Sequence, residues 1–240
     1  MTTTAYDTTF FASDIAFTDN NDVVHLDVPF RKVKRIGSMV FGMAGCLACM
    51  RDYTQMILDY VKGTTNALEF PQSIVNRADR DFIVMVHLAG GCFKFDKLAG
   101  AATPVMQNVT QTPTVIGSGS YFVDGGFKTH KNAVVAVLEA IRSKDKYTDG
   151  DVKYCSVQLD DVHNLEIDPM NSTTTLQVTG MQNEIKAAND FMAKNQGKTF
   201  HASTKVAYVG KPEDMPLEAG MAILQQGLDV IREQLKVANS

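Results

Sequence analysis

The chain opens with the stretch MTTTAYDTTFFASD, residues 1–14, and this stretch decides how the fold is interpreted. It contains two short runs of β-branched and aromatic residues, Thr2–Tyr6 and Thr8–Ser13, a composition typical of strands. Asp7 stands between the two runs, and aspartate favours turns. We therefore predict that the chain begins with two short strands joined by a turn at Asp7.

Thr2 would become the first residue if Met1 were removed, and aminopeptidases readily remove methionine before a small residue. An N-terminal threonine carries a hydroxyl and a free α-amine, so the amine can accept the hydroxyl proton. The pKa of an α-amine, about 7.7–8.0, leaves a fraction of it neutral near pH 7. A Met-Thr start is common, however, and an ordinary first residue is the simpler interpretation of Thr2 taken alone.

Beyond this hairpin, strands and helices are predicted in groups rather than in alternation. Gly90-Gly91 joins two apolar runs into another hairpin, and a β-branched run at Thr173–Val178 predicts a strand. The grouping disfavours a doubly wound parallel sheet and favours two stacked antiparallel sheets with helices outside. We expect one domain over residues 1–240, with an extra C-terminal helix. Apolar periodicity predicts helices over about residues 46–62, 119–142, 181–193 and 216–237.

The composition is that of a globular protein with a full core. Of the 240 residues, 45% are hydrophobic, and no apolar run approaches the roughly 20 residues that a membrane span needs. The net charge of −4 argues against binding nucleic acid by broad neutralisation of phosphates. No secretory signal is visible, and four cysteines are too few for a disulfide scaffold of this length. The expected protein is soluble and cytoplasmic.

Several short motifs occur in order along the first two thirds of the chain. They are Thr2-Thr3-Thr4-Ala5, Ala12-Ser13-Asp14, Lys32-Val33, Met43-Ala44-Gly45, Ile116-Gly117-Ser118-Gly119 and Asp145-Lys146-Tyr147-Thr148-Asp149-Gly150. Their order and spacings resemble the proteasome β-subunit and HslV family, over about residues 2–160. The resemblance implies an α+β fold, a four-layer αββα sandwich of the N-terminal nucleophile hydrolase type. It also implies a threonine peptidase that cleaves peptide substrates.

The resemblance assigns a role to residues in the first half of the chain. Thr2 matches the nucleophile of the family. Asp14 matches the acid that pairs with a lysine, and Lys32 stands at the position of that lysine. Gly45 matches the glycine whose N–H helps to form the oxyanion hole, and Met43 matches a residue in the wall of the substrate pocket.

Three residues of the second half, Ser118, Asp145 and Thr148, match the group that positions the α-amine and the attacking water. Each could instead have a local role. Ser118 could cap a helix, and Asp145 and Thr148 could lie in a surface turn. The same holds for the first half. Asp14 could cap a turn, Gly45 could cap a helix, and a basic run such as Arg31–Arg35 is usually solvated.

The sequence also departs from the family pattern. Asp14-Ile15-Ala16 lacks the arginine that usually follows the acid, and the separation between Thr2 and Asp14 is about four residues shorter than in the family. No propeptide is expected before Thr2, so activation would depend on the removal of Met1 alone. The shorter separation is tolerable, because an even shortening of a hairpin keeps each side chain on its face. The missing arginine, a retained Met1 and the extended C-terminus favour the alternative of a catalytically inactive assembly or binding protein.

Other motifs give weaker signals. Cys46-Leu47-Ala48-Cys49 is a Cys-x-x-Cys pair at a helix start, an arrangement seen in redox motifs, but the surrounding pattern favours a partly buried helical pair. The five histidines lack ligand spacing, and Gly117-Ser118-Gly119 is followed by no phosphate-binding lysine, so we expect no metal and no cofactor.

Apolar residues form a stripe along one face of the last predicted helix, at alternating spacings of four and three residues. Such a stripe suits packing on the core of the same chain or a seam with another subunit, and the first is favoured. The family resemblance implies self-association into homo-oligomeric rings and an ATP-dependent unfoldase as partner. The stripe consists of Leu217, Met221, Leu224, Leu228, Ile231 and Leu235.

Overall fold

The computed structural model describes residues 3–78, 82–88, 90–121, 127, 131–143, 145–157, 173–201 and 204–238. The strands are β1 (Thr3–Tyr6), β2 (Phe10–Ser13), β3 (Phe17–Asp19), β4 (Val24–His25), β5 (Val33–Ile36), β6 (Met39–Gly45), β7 (Phe82–Leu88), β8 (Gly91–Lys97), β9 (Val105–Asn108), β10 (Thr114–Gly117), β11 (Lys153–Ser156), β12 (Phe200–His201), β13 (Val206–Tyr208) and β14 (Glu213–Met215). The helices are α1 (Leu47–Val61), α2 (Gln72–Val75), α3 (Ala133–Arg142), α4 (Thr174–Lys194) and α5 (Leu217–Ala238), with a 3₁₀ turn at Ser118–Tyr121.

The strands pair into antiparallel sheets, so the fold is of the α+β class. A five-stranded sheet has the order β11-β2-β1-β10-β13, and a six-stranded sheet has the order β14-β9-β8-β7-β6-β5. A small third sheet has the order β12-β3-β4. The register sets Thr3 opposite Gly117 of β10 and Thr4 opposite Ser13 of β2. Strand β1 therefore begins between the end of β2 and the end of β10.

Asp7 holds the hairpin of β1 and β2, as its turn-forming character predicts. One carboxylate oxygen accepts hydrogen bonds from the N–H groups of Thr9 at 2.8 Å and Phe10 at 2.7 Å. The other oxygen accepts the N–H of Ala133, the first residue of α3, at 2.7 Å. One side chain thus fixes the turn and also the helix that covers this sheet.

Three apolar clusters stack through the molecule. The first lies between α1, α4, α5 and one face of the six-stranded sheet. The second contains residues from both large sheets and fills the space between them. The third lies between α3 and the outer face of the five-stranded sheet. The sheets approach closely at Gly42, where an added Cβ would lie 2.8 Å from atoms of Phe11 and Thr4.

The structure corrects two of the predicted elements and contains a strand that was not predicted. The strand predicted at Thr173–Val178 is wrong, because α4 begins at Thr174 and buries Gln177, Val178 and Met181 at helical spacing. The range 119–142 is not one helix: a 3₁₀ turn ends at Tyr121, and α3 begins only at Ala133. Strand β9 was not predicted, since its Val-Met-Gln-Asn sequence lacks a β-branched run.

Helix α5 packs its apolar stripe against the core of its own chain. Leu224, Leu228, Ile231 and Leu235 are buried in the first cluster, and Leu217 and Met221 are partly buried against it. In the part of the chain that the structure describes, no helix has both the length and the apolar composition that a membrane span requires.

Candidate functional site

The candidate site is built around Thr3, the first residue that the structure describes. The predicted nucleophile Thr2 lies outside the described residues. Thr3 is fully buried, and its N–H donates to Asp14 Oδ1 at 2.8 Å. Its Oγ1 lies 2.6 Å from Thr148 Oγ1 and accepts the N–H of Gly119 at 3.0 Å. Backbone and side chain of Thr3 thus contact two different groups of polar residues, one on each side.

Asp14 and Lys32 form the first group. Lys32 Nζ lies 3.0 Å from Asp14 Oδ1, and neither side chain has any exposed surface. The same oxygen accepts the Thr3 N–H, and Lys32 Nζ also donates to the carbonyl of Ala16. Both the ammonium and the first described peptide nitrogen are therefore within one hydrogen bond of a single carboxylate oxygen.

Burial decides the protonation behaviour of Lys32. Loss of solvation lowers the pKa of its ammonium from 10.5 to about 8, and the opposing charge and hydrogen bond of Asp14 keep it from falling further. This value lies close to the usual pKa of an α-amine, about 7.7–8.0. At neutral pH Lys32 is therefore protonated, and a modest rise in pH removes its proton and its charge.

The basic run Arg31–Arg35 is not solvated, so that alternative from the sequence is wrong. Lys32, Lys34 and Arg35 are 1%, 0% and 3% exposed, and only Arg31 is half-buried. Lys32 contacts Asp14, Lys34 contacts Glu184, and Arg35 donates to the carbonyl of Ser156. The two lysines can lie inside because carboxylates compensate their charges there.

Ser118, Asp145 and Thr148 form the second group. Asp145 Oδ2 accepts the hydroxyls of Ser118 and Thr148, each at 2.6 Å, and the two hydroxyl oxygens are 3.4 Å apart. Asp145 Oδ1 also accepts the N–H of Tyr147 at 3.3 Å. All three predicted residues are buried, so the alternative of a surface turn does not fit Asp145 and Thr148.

Gly45 and Met43 lie at the end of β6. Gly45 has a φ of 135°, a conformation that other residues rarely adopt, and it directly precedes the first turn of α1. Met43 is fully buried in the first apolar cluster, and its carbonyl accepts the Thr4 hydroxyl at 2.9 Å. This hydrogen bond ties the beginning of β1 to the strand that carries Gly45.

Sequence reasoning did not single out Thr3 and Gly119 as parts of the site. An added Cβ at Gly119 would lie 2.1 Å from Thr3 Oγ1 and 2.7 Å from Ala140 Cβ, so only glycine fits there. The available signal was the Thr2-Thr3-Thr4 run opposite a glycine-rich turn. Its weakness is that no local pattern reveals which threonine of the run points to the turn.

The chemistry of the site is that of proton handling. An ammonium, two carboxylates and several hydroxyls converge on the start of the chain, and each is buried away from water. Such a set can orient a nucleophile and shift the pKa of an adjacent amine. Among the described residues, no group of three or more His, Cys, Asp or Glu side chains is arranged to hold a metal ion.

Comparison with known proteins gives a limited result. No protein-family model and no curated protein sequence matches the chain. Two solved structures are similar to it: an HslV from Trypanosoma brucei, and a BPH from Thiobacillus denitrificans in complex with epoxomicin. Both have a TM-score of 0.42 and cover 65% of this chain, with 18% and 15% identity and 98% and 97% coverage of their own chains. HslV, the family that the sequence motifs resemble, is thus among them.

Proposed function

We propose that the chain is a threonine-type N-terminal nucleophile peptidase. The observation that carries the proposal is that Asp14 Oδ1 accepts both the Thr3 N–H and the Lys32 ammonium. Thr3 is bonded to Thr2, so this carboxylate ties a buried cation to the residue that follows the proposed nucleophile. The motif resemblance assigns the nucleophile, the acid and the lysine to these same positions.

In the proposed reaction, Met1 has been removed and the α-amine of Thr2 is free. The amine takes the proton of the Thr2 hydroxyl while Thr2 Oγ1 attacks a peptide carbonyl carbon. The carbonyl oxygen becomes an oxyanion, for which the Gly45 N–H is the proposed donor; such donors contribute about 2.7–4 kcal/mol to transition states. The C–N bond then breaks, the leaving amine takes the proton, and water hydrolyses the ester that remains.

Lys32 acts in this scheme through its charge. An ammonium near a protonated amine disfavours the second positive charge, by about 4 kcal/mol at about 4 Å and an effective dielectric of about 20. The amine of Thr2 is thereby kept neutral and able to act as a base. Asp14 holds Lys32, and its fully buried carboxylate compensates the charge of the ammonium.

The cluster of Ser118, Asp145 and Thr148 holds the other side of the site. Its hydroxyls share one carboxylate oxygen and contact Thr3 through Thr148. In the proposed enzyme this cluster orients the α-amine and the attacking water. Since all its hydrogen bonds are buried, it needs no rearrangement when a substrate excludes solvent.

The four-layer αββα sandwich belongs to this proposal as well. The three stacked apolar clusters support it, because they alternate helix against sheet, sheet against sheet, and sheet against helix. Ring assembly, an ATP-dependent unfoldase and a cytoplasmic location remain predictions from the family resemblance. Sedimentation velocity of the purified chain tests the first of them.

The decisive experiment replaces the proposed nucleophile. Thr2→Ala is expected to abolish hydrolysis of short fluorogenic peptides, because the hydroxyl that forms the ester is gone, while circular dichroism and thermal unfolding stay unchanged. Thr9→Ala, at an exposed position of the adjacent turn, is the matched control and keeps full activity. Intact mass of the wild-type protein from its native host is expected to lack Met1.

Equal rates of peptide hydrolysis in wild type and Thr2→Ala would overturn the proposal. A mass that includes Met1, together with no turnover of any peptide, would favour the alternative of a catalytically inactive assembly or binding protein. Reaction of the intact protein with an inhibitor directed at N-terminal threonine, read by mass spectrometry, separates the two outcomes directly.

A further inference from the structure

Two cysteines face each other directly after the glycine that ends β6. Cys46 is the cap residue of α1, and Cys49 lies in the first turn of that helix. The two Sγ atoms are 2.8 Å apart, and the Cys49 N–H donates to Cys46 Sγ at 3.2 Å. Both side chains are buried, at 1% and 0% exposure. The two thiols thus form a buried pair in direct contact.

The backbone around the pair suits a disulfide. A disulfide bond is about 2.05 Å long, so the sulfurs need to approach by less than about 1 Å to form one. Cys46 has an extended conformation, with φ −76° and ψ 147°, which turns its side chain back over the first turn of α1.

We propose that Cys46 and Cys49 form a reversible dithiol–disulfide couple, a modification site that a small peroxide oxidises. The Cys46 sulfur attacks hydrogen peroxide, the O–O bond breaks, and Cys46 becomes a sulfenic acid while one water leaves. The Cys49 sulfur then attacks the Cys46 sulfur, the S–S bond forms, and a second water leaves. Two thiols lose two electrons and two protons in total, and one peroxide is reduced to two waters.

The other two cysteines provide an internal comparison. Cys92 and Cys155 are also buried, in the apolar cluster between the two large sheets. Burial raises the pKa of the Cys92 thiol well above its usual value, so almost none of it ionises at neutral pH. Disulfide formation is therefore expected at Cys46 and Cys49, whose sulfurs adjoin each other, and not at Cys92, whose thiol forms a hydrogen bond with Tyr6.

The position of the pair connects it to the candidate site without depending on the proposed peptidase. Cys46 follows Gly45, and the disulfide would tighten the first turn of α1 next to that glycine. The modification itself is detected by mass, not by activity. Failure of the peptidase proposal would therefore leave this inference intact, and the reverse also holds.

The test exposes the folded, reduced protein to hydrogen peroxide and then unfolds it in an alkylating agent. The expected result is a protein that has lost two hydrogens and carries two alkyl groups, whereas the untreated protein carries four. A peptide map should show a Cys46–Cys49 disulfide and alkylated Cys92 and Cys155. Dithiothreitol should restore both thiols. Cys46→Ser and Cys49→Ser should each abolish the loss of two hydrogens, whereas Cys92→Ser and Cys155→Ser should retain it.

Other results would overturn the proposal. Full alkylation of both Cys46 and Cys49 after peroxide treatment would mean that the folded pair does not react. Sulfinic acid at Cys46 without a disulfide would mean that Cys49 does not resolve the sulfenic acid. One equivalent of zinc in the purified protein, lost in Cys46→Ser, would make the pair a metal site instead. Because the map uses the wild-type protein, misfolded variants would not obscure the answer.

Discussion

Lys32 and Lys34 are two residues apart, and both are fully buried beside a carboxylate, yet their surroundings differ. Lys32 contacts Asp14, which is itself fully buried, in a site crowded with hydroxyls and with the first described peptide nitrogen. Lys34 contacts Glu184 of α4, whose side chain is 23% exposed and also contacts Arg31. The first pair lies at the start of the chain, and the second joins a helix to a sheet.

The difference shows that a buried lysine–carboxylate pair does not identify a functional site. Burial lowers the pKa of both lysines, so this property does not distinguish them. What distinguishes Lys32 is that its carboxylate partner also accepts the N–H of Thr3, the first described residue. Contact with an aromatic ring does not distinguish the two lysines. Lys32 Nζ lies 4.6 Å from the centre of the Phe17 ring, and Lys34 Nζ lies 4.0 Å from that of Phe30.

Replacing each lysine by methionine gives the largest expected contrast. Lys32→Met should reduce kcat/KM for peptide hydrolysis at least about a thousandfold, because the charge that keeps the Thr2 amine neutral is lost. It should also cost about 3–5 kcal/mol in the free energy of unfolding, since Asp14 stays buried without its counter-ion. Lys34→Met should keep the activity and cost about 2 kcal/mol, because Glu184 keeps Arg31 and some solvent. Urea denaturation and initial rates measure both. Equal losses of activity in the two variants would contradict the distinction.

A smaller effect is expected at the second polar group. Asp145→Asn replaces one acceptor oxygen of the Ser118 and Thr148 hydroxyls by a donor, so these hydroxyls must reorient. We expect a loss of about a hundredfold in kcat with a modest change in KM. Asp151→Asn, at an exposed position of the same segment, is the matched control and should leave kcat unchanged. A wild-type kcat in Asp145→Asn would mean that the cluster has only a structural role.

The pH dependence should separate activity from stability. Lys32 loses its proton near pH 8 in the folded protein and near 10.5 when unfolded, so the unfolded chain binds more protons between these values. The free energy of unfolding therefore rises with pH across this window, and less so in Lys32→Met. Activity should instead fall about tenfold per pH unit above about 8, as the ammonium loses its charge. The fall in kcat/KM above about pH 8 should persist in Lys34→Met. If it disappeared in that variant, the ionisation that limits activity would belong to Lys34 and not to Lys32.

The smallest predicted effect concerns the helix that carries Glu184. Gly180 lies one turn before Glu184 in α4, and an added Cβ there meets nothing within 4 Å. Gly180→Ala should stabilise the protein by about 0.5–1 kcal/mol without changing activity, because alanine favours the helix. Gly119→Ala is the opposite case, since its Cβ would clash with Thr3, and it should lower both stability and activity. Thermal unfolding measures both variants.

Elements bounded by clear turn residues, or marked by apolar periodicity, could be predicted from the sequence. Helix α1, the hairpin around Gly90-Gly91 and helix α5 all follow from glycine turns or apolar periodicity. The failure at Thr173–Val178 has a physical cause: threonine and valine favour strands only weakly, and burial of one helical face against the core overrides that preference.

The site was harder to predict because its contacts are distant in sequence. The motifs named Asp14, Lys32, Ser118, Asp145 and Thr148, and the structure brings these residues together around Thr3. Composition alone suggested that the basic run was solvated, since nothing local indicates its partners. The carboxylate that compensates Lys34 lies 150 residues further along the chain.

The Asp7 carboxylate has a mechanical consequence. One of its oxygens accepts the N–H groups of the hairpin turn, and the other accepts the first N–H of α3. The hairpin and the start of that helix are therefore coupled through one side chain. Only the four residues of β1 separate this pivot from the start of the described chain. A displacement of α3 would therefore also displace β1, whose first residue, Thr3, contacts both Asp14 and Thr148.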